Sequence, residues 1–364
     1  MKITIIAGAR PNFMKIAPII EAIQSKNNLG FNIHYRLVHT GQHYDKNLSD
    51  TFFKELNIPF PDINLEVKSG TQAEQTAAIM IGFEKELQQN PCDLVMVVGD
   101  VTSTMACAIV AKKAGVSVAH VEAGIRSGDM NMPEEINRIV TDSLTDYFFT
   151  TSSYANANLA QLGVLKDKVF FVGNVMIDTL MKHIPRLDKP LLWDEIGLQN
   201  KKYIVMTLHR PSNVDEEKQL KNLINHIVKL AKDYPIIFPV HPRTKKLLEG
   251  LHLNYDNLHY VEPLGYLHFN YLVKNAFAVL TDSGGITEET TVMNVPCMTL
   301  RDSTERPETC EIGTNVLVGS DTAKIQAAFK ILVSGKWTQG QTPELWDGKA
   351  ASRIIDNLVD IFQV

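Results

Sequence analysis

Short runs of consecutive apolar residues punctuate the chain, and each stops at a cluster of Gly, Pro or polar residues. Ile3 to Ala7, His34 to His39, Asp93 to Val98, Val116 to Val121, Tyr147 to Thr150 and Val169 to Val172 read as strands in the first half. Tyr203 to Leu208, Ile236 to Val240, His259 to Val261 and Asn275 to Leu280 read as strands in the second. Helical stretches lie between them, over Asn12 to Lys26, Lys46 to Leu56, Gln72 to Leu87, Glu216 to Tyr234 and Leu267 to Asn275. Strands apolar on both sides belong to a parallel sheet covered on both faces by helices. The prediction is an α/β fold of two Rossmann-like doubly wound domains facing across a cleft. They are expected at 1–175 and 176–350, with Pro185 to Gly197 as linker. Residues 351–364, with Ile354, Ile355, Leu358 and Ile361 at helical spacing, are expected to cross back onto the first domain.

In such sheets ligands lie beyond the carboxyl ends of the strands. Gly8-Ala9-Arg10-Pro11, Gln42-His43, Asp100 and Glu122 all fall there in the first half. Arg10 and Lys15 sit near a helix start, which is unfavourable for cations unless an anion binds. Lys15 reads equally well as a solvated helix residue. Asp100 reads either as an acid–base group or as the cap of a helix from Thr102. Glu134 and Glu135 follow Pro133, a good helix start in itself. Glu134 and Arg138 are four apart and share a helix face.

In the second half His209 and His241 stand at strand ends. Thr281 to Glu289 combines a strand end, a Ser-Gly-Gly turn and a helix start, which makes an anion site. Ser283 can cap that helix or donate to a phosphate oxygen, Gly284 and Gly285 let backbone approach a ligand, and Glu289 can reach ribose hydroxyls.

A length of 364 residues suits two domains, and an apolar fraction of 45% suffices for two cores. Net charge is −5, from 36 basic and 41 acidic residues, with no basic block to suggest nucleic acid. Cys92, Cys107, Cys297 and Cys310 lack metal spacing, and the first three sit in apolar surroundings, as in a reducing compartment. The start, Met1 to Ala7, is too short for a signal peptide, and no run of 18 apolar residues suggests a membrane span. There is no P-loop and no G-x-G-x-x-G after a first strand, so no ATP, NAD or metal is expected.

Taken together, Gly8-Ala9-Arg10-Pro11 with Lys15, Thr40-Gly41-Gln42-His43, Gly99-Asp100, His120 to Arg126, Pro133-Glu134-Glu135 with Asn137-Arg138, Thr281 to Glu289, and Arg301 to Glu308 resemble the non-hydrolysing UDP-N-acetylglucosamine 2-epimerases. The resemblance spans nearly the whole chain in order. It implies a fold like that of B-type glycosyltransferases, no cofactor, and a cytoplasmic homodimer that makes UDP-N-acetylmannosamine for cell-surface polysaccharide. By that resemblance Asp100, Glu122 and Glu134 would be the acid–base carboxylates. Arg10, Phe269, Ser283, Gly284, Gly285 and Glu289 would hold UDP, with Phe269 on uracil and Glu289 on ribose. Lys15, Arg138 and His209 would meet phosphate or sugar.

Two departures stand out. Many bacterial members carry Glu where this chain has Asn12, and Arg-Arg-Glu where it has Arg210-Pro211-Ser212. The chemistry expected is elimination of UDP to a 2-acetamidoglucal and re-addition. Alternatives are an epimerase of a 2,3-diacetamido or 6-deoxy sugar, a hydrolysing epimerase, a glycosyltransferase and a UDP-sugar sensor.

Overall fold

A computed structural model describes residues 1–41, 53, 56, 58–240, 248, 250–251 and 253–364, and leaves aside the side chains of Arg10, Pro211 and Ser212. The expected helix over Lys46 to Leu56 lies largely outside the described residues, and Gln42, His43 and His241 lie wholly outside them.

The chain divides into two compact units, Met1–Lys182 with Glu344–Val364, and His183–Pro343. The first unit holds strands β1 (Lys2–Ala7), β2 (His34–His39), β3 (Ile63–Asn64), β4 (Leu94–Val98), β5 (Ser117–Val121), β6 (Tyr147–Thr150) and β7 (Val169–Phe171). They form one sheet in the order β3-β2-β1-β4-β5-β6-β7, with every pairing parallel. Strand β1 pairs Ile3 to Ile5 with Leu94 to Met96 on one side and Lys2 to Ala7 with His34 to His39 on the other. Its residues from Ile3 to Ala7 are buried, as a strand covered on both faces requires. The order reverses between β1 and β4, which is where such sheets bind ligands.

The second unit repeats the design with β8 (Ile204–Thr207), β9 (Ile236–Pro239), β10 (Leu258–Val261), β11 (Ala278–Thr281), β12 (Cys297–Thr299) and β13 (Asn315–Leu317). Their order is β10-β9-β8-β11-β12-β13, again parallel, with the reversal between β8 and β11. Met206, Phe238, Leu280 and Met298 from four of these strands share one buried cluster with Ile224 and Phe329 of the covering helices.

Three features correct the sequence reading. Pro185 to Gly197 is not a bare linker. It carries the helix Leu192–Ile196, and Leu192, Trp193 and Ile196 pack on the second unit's core. The break falls after Lys182, beyond the expected boundary at 175 and short of Pro185, because the helix Val175–His183 is fastened to the first unit through Thr179 Oγ1, which donates to Met14 O at 2.6 Å. Asn275 to Phe277 precede β11, since Asn275 still closes the helix Tyr266–Asn275.

Within the first unit the C-terminal helix Ala350–Phe362 lies against the helix Arg10–Asn28, where Lys26 Nζ meets Asp356 Oδ1 at 2.5 Å. Asp178 receives its first turn: Ala350 N and Ala351 N donate to the carboxylate at 3.1 and 2.7 Å. The approach of residue 345 allows only glycine at 173. A Cβ there would stand 2.0 Å from Leu345 O, and φ is +94°. Cys107 and Cys297 are buried thiols, while Cys92 and Cys310 are half-buried.

Burial pushes the Asp178 carboxyl up to about 6, even though the two N–H groups favour its charge. We expect Asp178→Ala to cost about 1.5–3 kcal/mol, the usual loss for hydrogen bonds to a charged group. Thermal unfolding measures the cost. Hydrogen exchange should report faster opening of 350–362 than in the wild type.

Candidate active site

The first unit's site is built at the ends of β1, β4 and β5. After β1 the chain turns through Gly8 and Ala9 into a helix, and Asn12 closes that turn. Its Oδ1 accepts from Gly8 N and Ala9 N at 3.1 and 2.9 Å, and its Nδ2 donates to Val98 O at 2.9 Å. A carboxylate at position 12 could make the first two bonds but not the third. This is what the departure at Asn12 does here: it ties the β1 turn to the end of β4.

Beyond Val98, Gly99 takes φ +70°, and a Cβ there would stand 3.3 Å from Lys15 Nζ, 3.5 Å from Asn12 Nδ2 and 3.6 Å from Glu122 Oε2. Lys15 Nζ donates to Glu122 Oε2 at 2.5 Å, with both side chains largely shielded from solvent. Lys15 is thus engaged with a carboxylate and not simply solvated. Glu122 has φ +71°, a conformation that costs a non-glycine residue about 1–2 kcal/mol. Such strain concentrates at functional sites. It is held by Glu122 N and Ala123 N, which both donate to Phe149 O on β6.

Asp100 does not cap the next helix. Val101 takes the cap position without a side-chain bond, and Asp100 Oδ2 instead accepts from Arg138 Nη2 at 2.5 Å. Arg138 is buried on the helix Pro133–Leu144 and also donates through Nη1 to Glu135 Oε2 at 2.7 Å. Glu134 and Arg138 share a helix face by spacing, but the ion pair that Arg138 makes on its own helix is the i,i+3 one with Glu135. The helix turns Glu135 inward, where Ser127 N and Gly128 N also donate to it. Burial opposes the charge of Glu135, but those N–H groups and Arg138 outweigh it and hold the carboxyl below the usual range. Glu134 is left half-exposed at the head of the same helix. Asn137 Nδ2 donates to Asp100 O at 2.9 Å and fixes the backbone there.

In the second unit the ends of β8 and β11 are joined by one buried acid. Asp282 accepts from His209 N, Arg210 N and Asn213 Nδ2, and its Oδ1 lies 2.7 Å from His209 Nδ1. Burial works against its charge, yet these partners outweigh it and keep the carboxyl below its ordinary range. His209 is thereby fixed with its ring partly in solvent. Ser283 N donates to Thr281 Oγ1 at 3.0 Å, and Ser283 starts the helix Gly284–Val292 without any side-chain cap bond. Its hydroxyl is not spent on capping. A Cβ on Gly284 would meet nothing closer than Arg301 Nη1 at 3.8 Å, so the protein's own packing does not demand glycine there. The bare first turn leaves N–H groups and the positive end of the helix open to an anion.

Glu289 is buried on this helix, where Tyr266 OH donates to its Oε1 at 2.8 Å and Asn270 Nδ2 lies 3.4 Å away. Burial pushes its carboxyl up to about 7. Phe269, on the same helix as Tyr266, is half-buried against the cluster that includes Ile286. Of the residues singled out in sequence, Asp100, Glu122, Lys15, Arg138 and Glu134 belong to the first unit's edge. His209, Phe269, Ser283, Gly284, Gly285 and Glu289 belong to the second's. Arg10 begins the helix after β1 with its side chain undescribed. Sequence reasoning named Glu135 only as part of a helix start and a motif, and did not single out Asp142, Asp282, Tyr266 and Asn270 as buried partners.

The family described as UDP-N-acetylglucosamine 2-epimerase matches residues 25–359. The chain belongs to the UDP-N-acetylglucosamine 2-epimerase family. It is an enzyme of the isomerase class. The UDP-N-acetylglucosamine 2-epimerase of Methanocaldococcus jannaschii is 42% identical over 367 residues, covering 98% of both chains. A crystal structure of that protein with UDP-GlcNAc and UDP has a TM-score of 0.89 and covers 99% of this chain and 100% of that one. A Pseudomonas aeruginosa relative, UDP-2,3-diacetamido-2,3-dideoxy-D-glucuronate 2-epimerase, is 37% identical and covers 99% of this chain and 100% of its own. A lipopolysaccharide outer core galactosyltransferase shares the fold alone, with 13% identity and a TM-score of 0.54. The epimerase family accordingly has the glycosyltransferase-B-like architecture of two Rossmann-like units.

Glu308, on the helix Pro307–Glu311 after the Arg301 to Arg306 loop, is 2% exposed, and burial pushes its carboxyl up to about 7. A carboxyl raised in the folded state favours the fold while protonated, so its contribution is present below about pH 4.5 and lost as pH rises through 7. We expect Glu308→Gln to make the fall in stability across that window shallower. Denaturant midpoints at pH 5 and pH 8, compared with wild type, measure the change.

Proposed function

We propose that the protein inverts C2 of UDP-N-acetylglucosamine to give UDP-N-acetylmannosamine, reversibly and without net hydrolysis. The observation that carries this reading is the pair Asp100 and Glu122 at the ends of adjacent strands, Asp100 held by the buried Arg138 and Glu122 by the half-buried Lys15. Family membership and the ligands named for the Methanocaldococcus structure support the substrate.

The C2 hydrogen of an N-acetylhexosamine is not acidic, so its removal must be coupled to bond breaking. A carboxylate takes the C2 proton as the C1–O bond to UDP breaks, and a 2-acetamidoglucal forms. A second group returns a proton to the opposite face of C2, and a UDP oxygen re-adds at C1. Asp100, Glu122 and Glu134 supply the proton transfers. Arg138 pairs with Asp100 and Lys15 with Glu122, and in this reading both cations also meet phosphate or sugar. Arg10, Ser283, Gly284 and Gly285 take the diphosphate, where preorganised donors meet developing charge. Phe269 stacks on uracil, Glu289 accepts from ribose hydroxyls, and His209 reaches phosphate or sugar. The homodimer, the cytoplasmic setting and the supply of cell-surface polysaccharide follow the same family reading. Among the described residues no helix is long and apolar enough to cross a membrane.

The Pseudomonas relative gives a second reading its footing: a substrate with an acetamido group at C3. Incubating the protein with a panel of UDP-sugars and no acceptor separates the two. Epimerised UDP-N-acetylglucosamine, seen by NMR, is the expected result. Free N-acetylmannosamine with UDP means hydrolysis, and turnover of the diacetamido sugar alone moves the reading to that substrate.

Asp100→Asn, Glu122→Gln and Glu134→Gln should each lower kcat by about 10²–10⁴-fold, the usual weight of one acid–base group. UDP affinity should stay within a few-fold. Ser283→Ala should weaken UDP by about 1.5–3 kcal/mol in calorimetry, the value of a hydrogen bond to a charged group.

A further inference from the structure

His120, on β5, is fully buried and makes two short contacts. Its Nε2 lies 2.8 Å from Gly99 O, and its Nδ1 lies 2.7 Å from Asp142 Oδ1. A carbonyl oxygen only accepts, so Nε2 must carry a hydrogen. Two arrangements then remain at Nδ1. Either a neutral ring accepts from a protonated Asp142, or a charged ring donates to its carboxylate. The other oxygen of Asp142 decides between them. Oδ2 accepts from Gly124 N at 3.1 Å and faces Arg126 Nη1 at 2.7 Å. Both are donors, and the guanidinium cannot give up its charge. A neutral acid protonated on Oδ1 would still leave Oδ2 to accept, but the fixed positive charge of the guanidinium beside Oδ2 favours the carboxylate over that acid, which makes Nδ1 the donor.

We propose that His120 is a buried imidazolium at neutral pH that cross-links the turns after β4 and β5 and so positions Asp100 and Glu122 as a pair. One end holds Gly99, the residue before Asp100. The other end holds Asp142, which fixes Gly124, two residues after Glu122. Arg126 braces the same turn, since its Nη1 also donates to Ile125 O at 2.7 Å. The lowered Asp142 carboxyl agrees: burial opposes its charge, and His120 and Arg126 outweigh it. Buried ion pairs add little net stability compared with apolar packing. What this one supplies is direction, because three fixed bonds leave each turn one arrangement. His120 and Asp142 are positioning residues and contact no reacting atom.

The catalytic half of this inference rests on the epimerase reading, while the charge state does not. The test is long-range ¹H–¹⁵N NMR of the full-length protein with labelled histidine at pH 7.5, with His120 assigned by its loss in His120→Asn. The expected signature is two protonated ring nitrogens of similar shift. A single-tautomer pattern, with one bare nitrogen, overturns the proposal, and triple-resonance assignment of His120 gives the same readout if His120→Asn does not fold. Asp142→Asn should convert the ring to the neutral pattern. It should also lower kcat by about 10²-fold, the scale of a misplacement of about 1 Å. KM for UDP-N-acetylglucosamine should hold within about twofold. An imidazolium signature with kcat unchanged in Asp142→Asn overturns the positioning role. An inactive wild type with the imidazolium signature would instead sink the epimerase reading alone.

Discussion

Each half of this protein depends on one constraint: two strand-end turns at a sheet's reversal point must be held rigid without filling the space beyond them. Backbone at a carboxyl edge offers N–H groups with no ladder partner, and unpaired buried groups are costly. The first unit answers with Asn12, which binds the β1 turn to Val98, and with His120 and Asp142, which bind the β4 and β5 turns. The second answers with Asp282, which gathers His209, Arg210 and Asn213 beside the start of a helix. In each case the buried acid is fully engaged from behind. In the proposed reaction Asp100 and Glu134 on the first edge and Ser283 on the second are the groups that meet the ligand.

The two edges differ in chemistry because they do different work in the proposed reaction. The first is lined with carboxylates backed by cations, Glu122 on the half-buried Lys15 and Asp100 on the buried Arg138. A cation beside a carboxylate fixes its direction, and a second carboxylate nearby gives the opposite face a proton donor or acceptor. The second edge presents a helix start stripped to glycine, with a serine hydroxyl that the helix itself does not use. A helix start of that kind suits phosphate oxygens, the role given to it in the proposed reaction.

Much of this was legible in sequence, for a physical reason. Strands covered on both faces must be apolar throughout, so β1, β4, β5, β8 and β11 stand out, and the residues that follow them sit at the ligand edge. That logic led directly to Asp100, Glu122, His209 and Ser283. It failed for β12 and β13, three residues each, which are too short to carry a pattern. It failed for Pro185 to Gly197 because a five-residue helix leaves little periodicity among prolines and charges. The buried partners were the least visible. Asp142 is 22 residues from His120, and a helix acid that turns inward looks in sequence like one that faces water. Spacing allowed Arg138 a partner at Glu134 or Glu135, and only the helix phase set by its buried face chose Glu135.

The central claim is that carboxylates of the first unit exchange the proton at C2. Turnover of UDP-N-acetylglucosamine in deuterated water, followed by NMR of the product, tests it most directly. The account predicts deuterium at C2 of the UDP-N-acetylmannosamine formed, because a proton taken by a carboxylate exchanges with solvent. Product that retains its original hydrogen at C2 would contradict it and point to internal hydride transfer or carbon–carbon cleavage.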